Sequence, residues 1–243
     1  MKVAIKYTIG IFCLLPSLSC LALSLTHGKV PVQLGVFTSS QGKNQHINIQ
    51  GLIGDQFTVD NNKSTNGLFG IGYYVDGLDR DHTLRDATLS YGVNGFYFGK
   101  TTVSGTVIQE NLFTNLSYKY DINHVPIYFA AKSTVKNNNE TYAITLDAGI
   151  GPNFIQTSNY SETPLDNFTV PDNAFSSHNN VTFTAMAGVG LKLNNIFGRA
   201  PLECGYRFFY LGQGDLSKNT DQLLNTLKTG NNYANALMCS VTV

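Results

Sequence analysis

The chain has no tryptophan and little charge: Asp, Glu, Lys and Arg together make up 13% of its 243 residues. Such sparse charge suits a protein that keeps much of its surface out of water. Mean hydropathy is only −0.06, however, which excludes a bundle of membrane helices. Beyond the N-terminus no apolar run approaches the ~18 residues of a spanning helix. Lys and Arg nowhere form a patch and the net charge is zero, so nucleic acid is excluded as a partner. The histidines (His27, His46, His82, His124 and His178) show no metal-ligand spacing. The acidic loop with Asp76, Asp79, Asp81 and Asp86 lacks the spacing of a calcium loop. No Gly-x-Ser-x-Gly element supports a hydrolase. No metal, no cofactor and no enzymatic activity are expected. The missing tryptophan and the terminal Val243 count slightly against a membrane barrel, where aromatic residues mark the interfaces.

Basic residues Lys2 and Lys6 precede an apolar stretch from Ile9 to Leu23, and Ala22-Leu23-Ser24 places small residues at a cleavage site. This is the pattern of a secretory signal peptide over residues 1–24, leaving residues 25–243 as one domain. Of four cysteines, processing leaves Cys204 and Cys239. Each lies on the apolar face of its strand, four residues from an expected periplasmic end. A disulfide between them and two separate lipid-facing thiols are both open readings.

The dominant signal is alternation with a period of two, the mark of β-strands. It is longest from Val181 to Leu193 and recurs in 68–75, 88–100, 112–120, 127–132, 145–151, 202–210 and 233–243. In the segment 202–210, Leu202, Cys204, Tyr206, Phe208 and Tyr210 face one way; Glu203, Gly205 and Arg207 face the other, with Phe209 as an exception. Phe96 and Phe98 break their own strand's pattern in the same manner. A secreted β-sandwich would bury the apolar face, whereas a membrane barrel turns it toward lipid and lines its lumen with charge. Gly-rich faces carrying charge, and Tyr and Phe near strand ends (Tyr97, Tyr118, Tyr120, Tyr206, Tyr210), favour the second. The expected fold is all-β: a transmembrane antiparallel up-and-down β-barrel of about ten strands, with eight as the alternative. The choice turns on whether 46–59 spans the membrane or forms an outer hairpin. Asp121-Ile-Asn-His124 reads as a short turn, and Asp221 as the cap of a helical turn or two ending at Gly230.

The segments Pro201 to Gly212, Ala187 to Gly198 and Gly51 to Val59 resemble a family of outer-membrane β-barrel proteins from gammaproteobacteria. More loosely, the Gly-Tyr-Arg strand (205–207) and Asp-Ala-Gly-Ile-Gly-Pro-Asn-Phe (147–154) resemble the small barrels of the OmpA-like and OmpW-like superfamily. The resemblance implies the fold and the bacterial outer membrane. It implies no activity, because that superfamily mixes structural, adhesive and pore-forming members.

The expected lumen network comprises Lys119, Lys132, Asp147, Lys192, Glu203 and Arg207. It can act as a selective polar pore or, as favoured here for a small barrel, as a plug of paired charges. Three functions follow. The first is a structural or surface-interaction barrel, with loops 158–180 and 213–232 meeting host or envelope partners. The second is a narrow channel for small solutes, and the third a lipid-modifying enzyme. Outer-membrane lipid and lipopolysaccharide are the expected surroundings.

Overall fold

The computed structural model describes residues 28–77, 87–137, 141–197 and 200–243. The expected signal peptide lies outside them, as do His27, His82 and the loop acids Asp79, Asp81 and Asp86. In chain order the strands are β1 (Pro31–Ser40), β2 (Gln45–Ile47), β3 (Asp55–Phe57), β4 (Lys63–Asp76), β5 (Ala87–Gln109) and β6 (Phe113–Lys136). They continue as β7 (Tyr142–Pro164), β8 (Phe175–Ser176), β9 (His178–Phe197), β10 (Ala200–Gly212), β11 (Ser217–Lys218) and β12 (Asn232–Thr242).

The main sheet holds ten strands, and eight of them close a ring. Its order is β1-β12-β10-β9-β7-β6-β5-β4 and back to β1, antiparallel throughout. The other two, β2 and β3, form a hairpin on the upper end of β5. Two differences from the expected strand map cancel in parity. Residues 46–59 form the outer hairpin, and 112–120 joins 127–132 in the single strand β6. Asp121 looks like a turn residue in isolation. Here its carboxylate accepts Thr102 Oγ1 at 2.6 Å and Asn159 Nδ2 at 2.8 Å, and it pairs with Lys100 Nζ at 2.9 Å. Neighbouring strands satisfy it, so the chain runs straight through, with register shifts against β5 and β7 nearby. Both described ends therefore meet at one end of the barrel, where Val30 and Val243 exchange backbone hydrogen bonds of 3.0 and 3.1 Å. The expected helical turn after Asp221 is absent. Leu223 bridges to Ile49, and Leu223 and Leu227 are buried while Leu224 stays exposed.

A tilted spanning strand needs about 9–11 residues. β5, β6 and β7 have 23, 24 and 23, so about half of each projects beyond a bilayer. The side chains mark the boundary. Leu89, Tyr91, Val93 and Tyr97 on β5, Ile127 and Phe129 on β6, and Ile144, Leu146 and Ile150 on β7 are apolar and point outward. Farther along the same strands the sign reverses. Thr102, Lys119 and Gln156 point outward, while Val103, Leu116, Tyr118, Tyr120, Ile122 and Ile155 are buried inside. Two expectations are corrected by this reversal. Tyr118 and Tyr120 belong to an internal core rather than an outer girdle. Lys119 faces solvent rather than the lumen, because above the bilayer the barrel wall is an ordinary water-facing surface.

Cys204 and Cys239 stand directly opposite in the β10–β12 register and are joined by a disulfide. The bond ties the closing strands across 35 residues of sequence. Thiol alkylation of unfolded, unreduced protein should leave both residues unmodified. The Cys204→Ser/Cys239→Ser double variant should still fold, with a stability loss of about 3–4 kcal/mol from restored unfolded-chain freedom, read by denaturant melts.

Candidate functional site: lumen and extracellular mouth

Near the end that holds the termini, β10 points Glu203 and Arg207 inward. Arg207 Nη2 lies 2.6 Å from Asp147 Oδ2 on β7 and 3.4 Å from Glu203 Oε1. Arg207 Nη1 donates to Gln33 Oε1 on β1 at 2.9 Å, and Gln33 Nε2 donates to Asn94 Oδ1 on β5 at 3.2 Å. Lys132 on β6 reaches Glu203 Oε2 at 2.9 Å, and Thr145 Oγ1 donates to Glu203 Oε1 at 3.0 Å. Lys192 is half-buried opposite Glu203 in the β9–β10 register, on the same face. Five of the six expected lumen charges therefore share one layer, and Lys119 does not. Glycine makes the room. A Cβ at Gly188 would stand 2.3 Å from Asp147 Oδ1 and 2.6 Å from Arg207 Cγ.

Above this layer lie the residues that break the alternation. Phe209 on β10 meets Phe98 at 5.0 Å and Phe96 at 5.4 Å between ring centroids, both from β5. β10 and β5 stand four places apart in the eight-strand ring, which is the full diameter. Phe37 on β1 closes on Phe98 at 4.9 Å, and Tyr128 on β6 lies 6.0 Å from Phe209. Phe98, Phe209 and Tyr128 are each 0% exposed. An eight-stranded barrel has an interior just wide enough for side chains to fill, and here aromatic rings fill it. Next comes a polar layer in which Asn153 Nδ2 donates to Leu211 O at 2.6 Å and lies 2.9 Å from His124 Nδ1. The other described histidines lie elsewhere: His46 Nε2 is 2.9 Å from Ile53 O, and His178 Nδ1 is 2.7 Å from Asp215.

The fold is that of an outer-membrane β-barrel. The apolar belt and the charged lumen are its signature. No family model matches the sequence, and no curated protein matches it. Among solved structures, Ail, the attachment invasion locus protein of Yersinia pestis, shares 12% identity, with 89% of this chain and 99% of that chain covered at a TM-score of 0.35. Neisserial surface protein A shares 11%, covering 88% and 96%, at 0.39. The outer membrane protease OmpT of Escherichia coli shares 9%, covering 89% and 96%, at 0.45. The assignment of the fold rests on the belt and the lumen rather than on these likenesses.

At the opposite rim a second core closes the barrel's projecting half. Phe57 of β3 meets Tyr118 at 5.1 Å and Phe175 of β8 at 5.7 Å, and Tyr160 meets Phe175 at 5.5 Å. Leu216, Leu223 and Leu227 from the β10–β12 connection complete it. The loops expected at 158–180 and 213–232 are thus partly ordered: 158–164 continues β7, 178–180 begins β9, and β8 pairs with β11. Within this mouth lies a cavity of about 380 Å³, walled by three extracellular connections and the tops of β5, β6 and β7. Asp55, Glu162 and Asp172 line it, and Ile47, Phe57, Leu116 and Leu223 form its apolar wall. Sequence reading missed this site because its residues come from 47 to 223 and carry no common motif. Burial pushes the Asp55 carboxyl above the ordinary range; the backbone N–H of Glu110 opposes this, and the charges of Glu110, Glu162 and Asp172 add to the rise. Asp121, on the outer wall, moves the other way. Burial again pushes upward, but hydrogen bonds from Thr102, Asn159 and Lys100 outweigh it.

Two outcomes follow. Removing the Arg207 cation strands Asp147 in the lumen and leaves Glu203 with Lys132 as its cation, so Arg207→Met should cost about 3–5 kcal/mol in a denaturant melt. An acid whose folded pKa is raised destabilises the fold above that pKa, and the cost is relieved as pH falls through it toward the ordinary value. Asp55→Asn should therefore raise the melting temperature at pH 7, and the gain over wild type should shrink on acidification. Thermal melts of both proteins across pH 4–7 measure it.

Proposed function

We propose that this outer-membrane barrel is a closed, non-catalytic surface-interaction protein that acts through its extracellular rim. The single observation that carries the reading is the Phe98–Phe209 contact across the full diameter, which supports a lumen closed to a continuous aqueous path. The rim supplies the interaction surface. Ile53, Phe168, Val170 and Leu224, from three separate connections, and Phe113 at the start of β6 stand exposed there, with Phe168 at 91%. The tip around Phe168 is preset: Asp166 Oδ1 accepts the backbone N–H groups of Phe168 at 3.0 Å and Thr169 at 2.7 Å. A preformed aromatic tip loses little entropy on docking, the usual property of a binding anchor. Its partner is an envelope or host surface. Outer-membrane lipid surrounds the belt, and lipopolysaccharide meets its outer edge. The gammaproteobacterial, OmpA- and OmpW-like kinship belongs to the same proposal.

The test is electrical. Purified full-length barrel in planar bilayers should show no steady, ion-dependent conductance steps. Reproducible steps from the wild-type protein would establish the channel reading instead.

A further inference from the structure

We propose that the cavity in the extracellular mouth is a binding site for a small organic cation: a protonated amine carried on an apolar body. The size fits, since pockets for such ligands start near 300 Å³ and this one measures about 380 Å³. The lining is of two kinds. One wall is the apolar face of the extracellular core, with Ile47, Phe57, Leu116 and Leu223. The other carries Asp55, Glu162 and Asp172, and no Lys, Arg or His lines the cavity.

The three carboxylates differ in what they already do. Glu162 is committed to the fold: it accepts the backbone N–H groups of Asn173 at 2.9 Å and Ala174 at 3.1 Å, and the Tyr160 hydroxyl. It therefore contributes a fixed negative charge. Asp55 Oδ1 accepts one backbone N–H, from Glu110 at 3.1 Å. Burial is the first cause of its raised pKa, and the surplus of negative charge from Glu110, Glu162 and Asp172 adds to the rise. Asp172 is exposed at the opening. A neutral apolar ligand would gain the wall but leave that surplus untouched. An anion would add to it. An ammonium group between Asp55 and Asp172, with its carbon body on the apolar wall, matches both halves.

Three connections and the strand tops converge on the cavity. The hairpin β2–β3, the tops of β5 to β7, and the connections holding Asp172 and Thr220 each supply part of the wall. No single loop could enclose it. The proposal extends the surface-interaction reading to a ligand class. It is separable from it, because the cavity lies above the aromatic plug and a conducting barrel would leave it intact.

The experiment uses the full chain in lipid nanodiscs and three probes of equal shape: 4-phenylbutylamine, 4-phenylbutanol and 4-phenylbutyrate. Calorimetric titration should show the amine binding at least about tenfold more tightly than the alcohol, the worth of a charge-assisted hydrogen bond, and no binding of the acid. Asp55→Asn should reduce amine affinity by about tenfold and leave alcohol affinity unchanged. Where Asp55→Asn fails to give the heat-modifiable gel migration of a folded barrel, Asp172→Asn, at an exposed position, takes its place with the same expected direction. Equal binding of amine and alcohol would overturn the proposal. So would wild-type amine affinity in the folded variant, or no amine binding at millimolar concentration.

Discussion

In hydrocarbon an unpaired backbone N–H or C=O costs several kcal/mol, so no strand can keep a free edge there. The pairing of β1 with β12 meets that constraint, running from Pro31–Thr242 to Ser40–Tyr233 without a break. Everything else depends on it. Once eight strands close, the interior is narrow and must be filled by whatever points inward. Gln33, Glu203, Arg207 and Ser240 are then buried together inside the ring. Arg207 serves Asp147, Glu203 and Gln33 together, because a buried charge is tolerable only when paired and hydrogen-bonded.

The interior is layered along the axis. A charged layer lies near the termini, an aromatic plug above it, then a polar layer around His124 and Asn153, and last an apolar core in the projecting half. Each layer faces a different exterior. Where lipid surrounds the wall, the inside can be polar, since the outside takes the apolar residues. Where water surrounds it, the inside must be apolar to stabilise the wall at all. A strand such as β6 serves both regimes. Phe129 points out and Lys132 in at one end; Lys119 points out and Tyr120 in at the other.

Much of this was legible in the sequence. The period-two pattern gave the strands, and the antiparallel barrel with its charged lumen followed from Glu203, Arg207, Asp147 and Lys132. The placement of Cys204 and Cys239 put a disulfide within reach, though alternation alone could not fix the register that joins them. The misreadings have physical causes. Lys119, Tyr118 and Tyr120 were assigned as if the whole strand lay in lipid, whereas nothing in a two-residue period says where the bilayer stops. Asp121 looked like a turn because its partners, Thr102, Asn159 and Lys100, come from other parts of the fold. Phe96, Phe98 and Phe209 were visible only as blemishes in the alternation. Those blemishes are the plug, and an apolar residue on a charged face is the signal that could have located it. The mouth cavity had no such signal, since it exists only after three connections meet the tops of β5, β6 and β7.

The central claim is that each long strand changes solvent midway, with lipid outside one half and water outside the other. Single spin labels on the outward face test it directly, in a Cys204→Ser/Cys239→Ser background reconstituted into bilayers. Labels at Phe129 and Leu146 should relax with dissolved oxygen, and labels at Lys119 and Thr102 with an aqueous nickel complex. Oxygen-dominated relaxation at Lys119 and Thr102 would contradict the account.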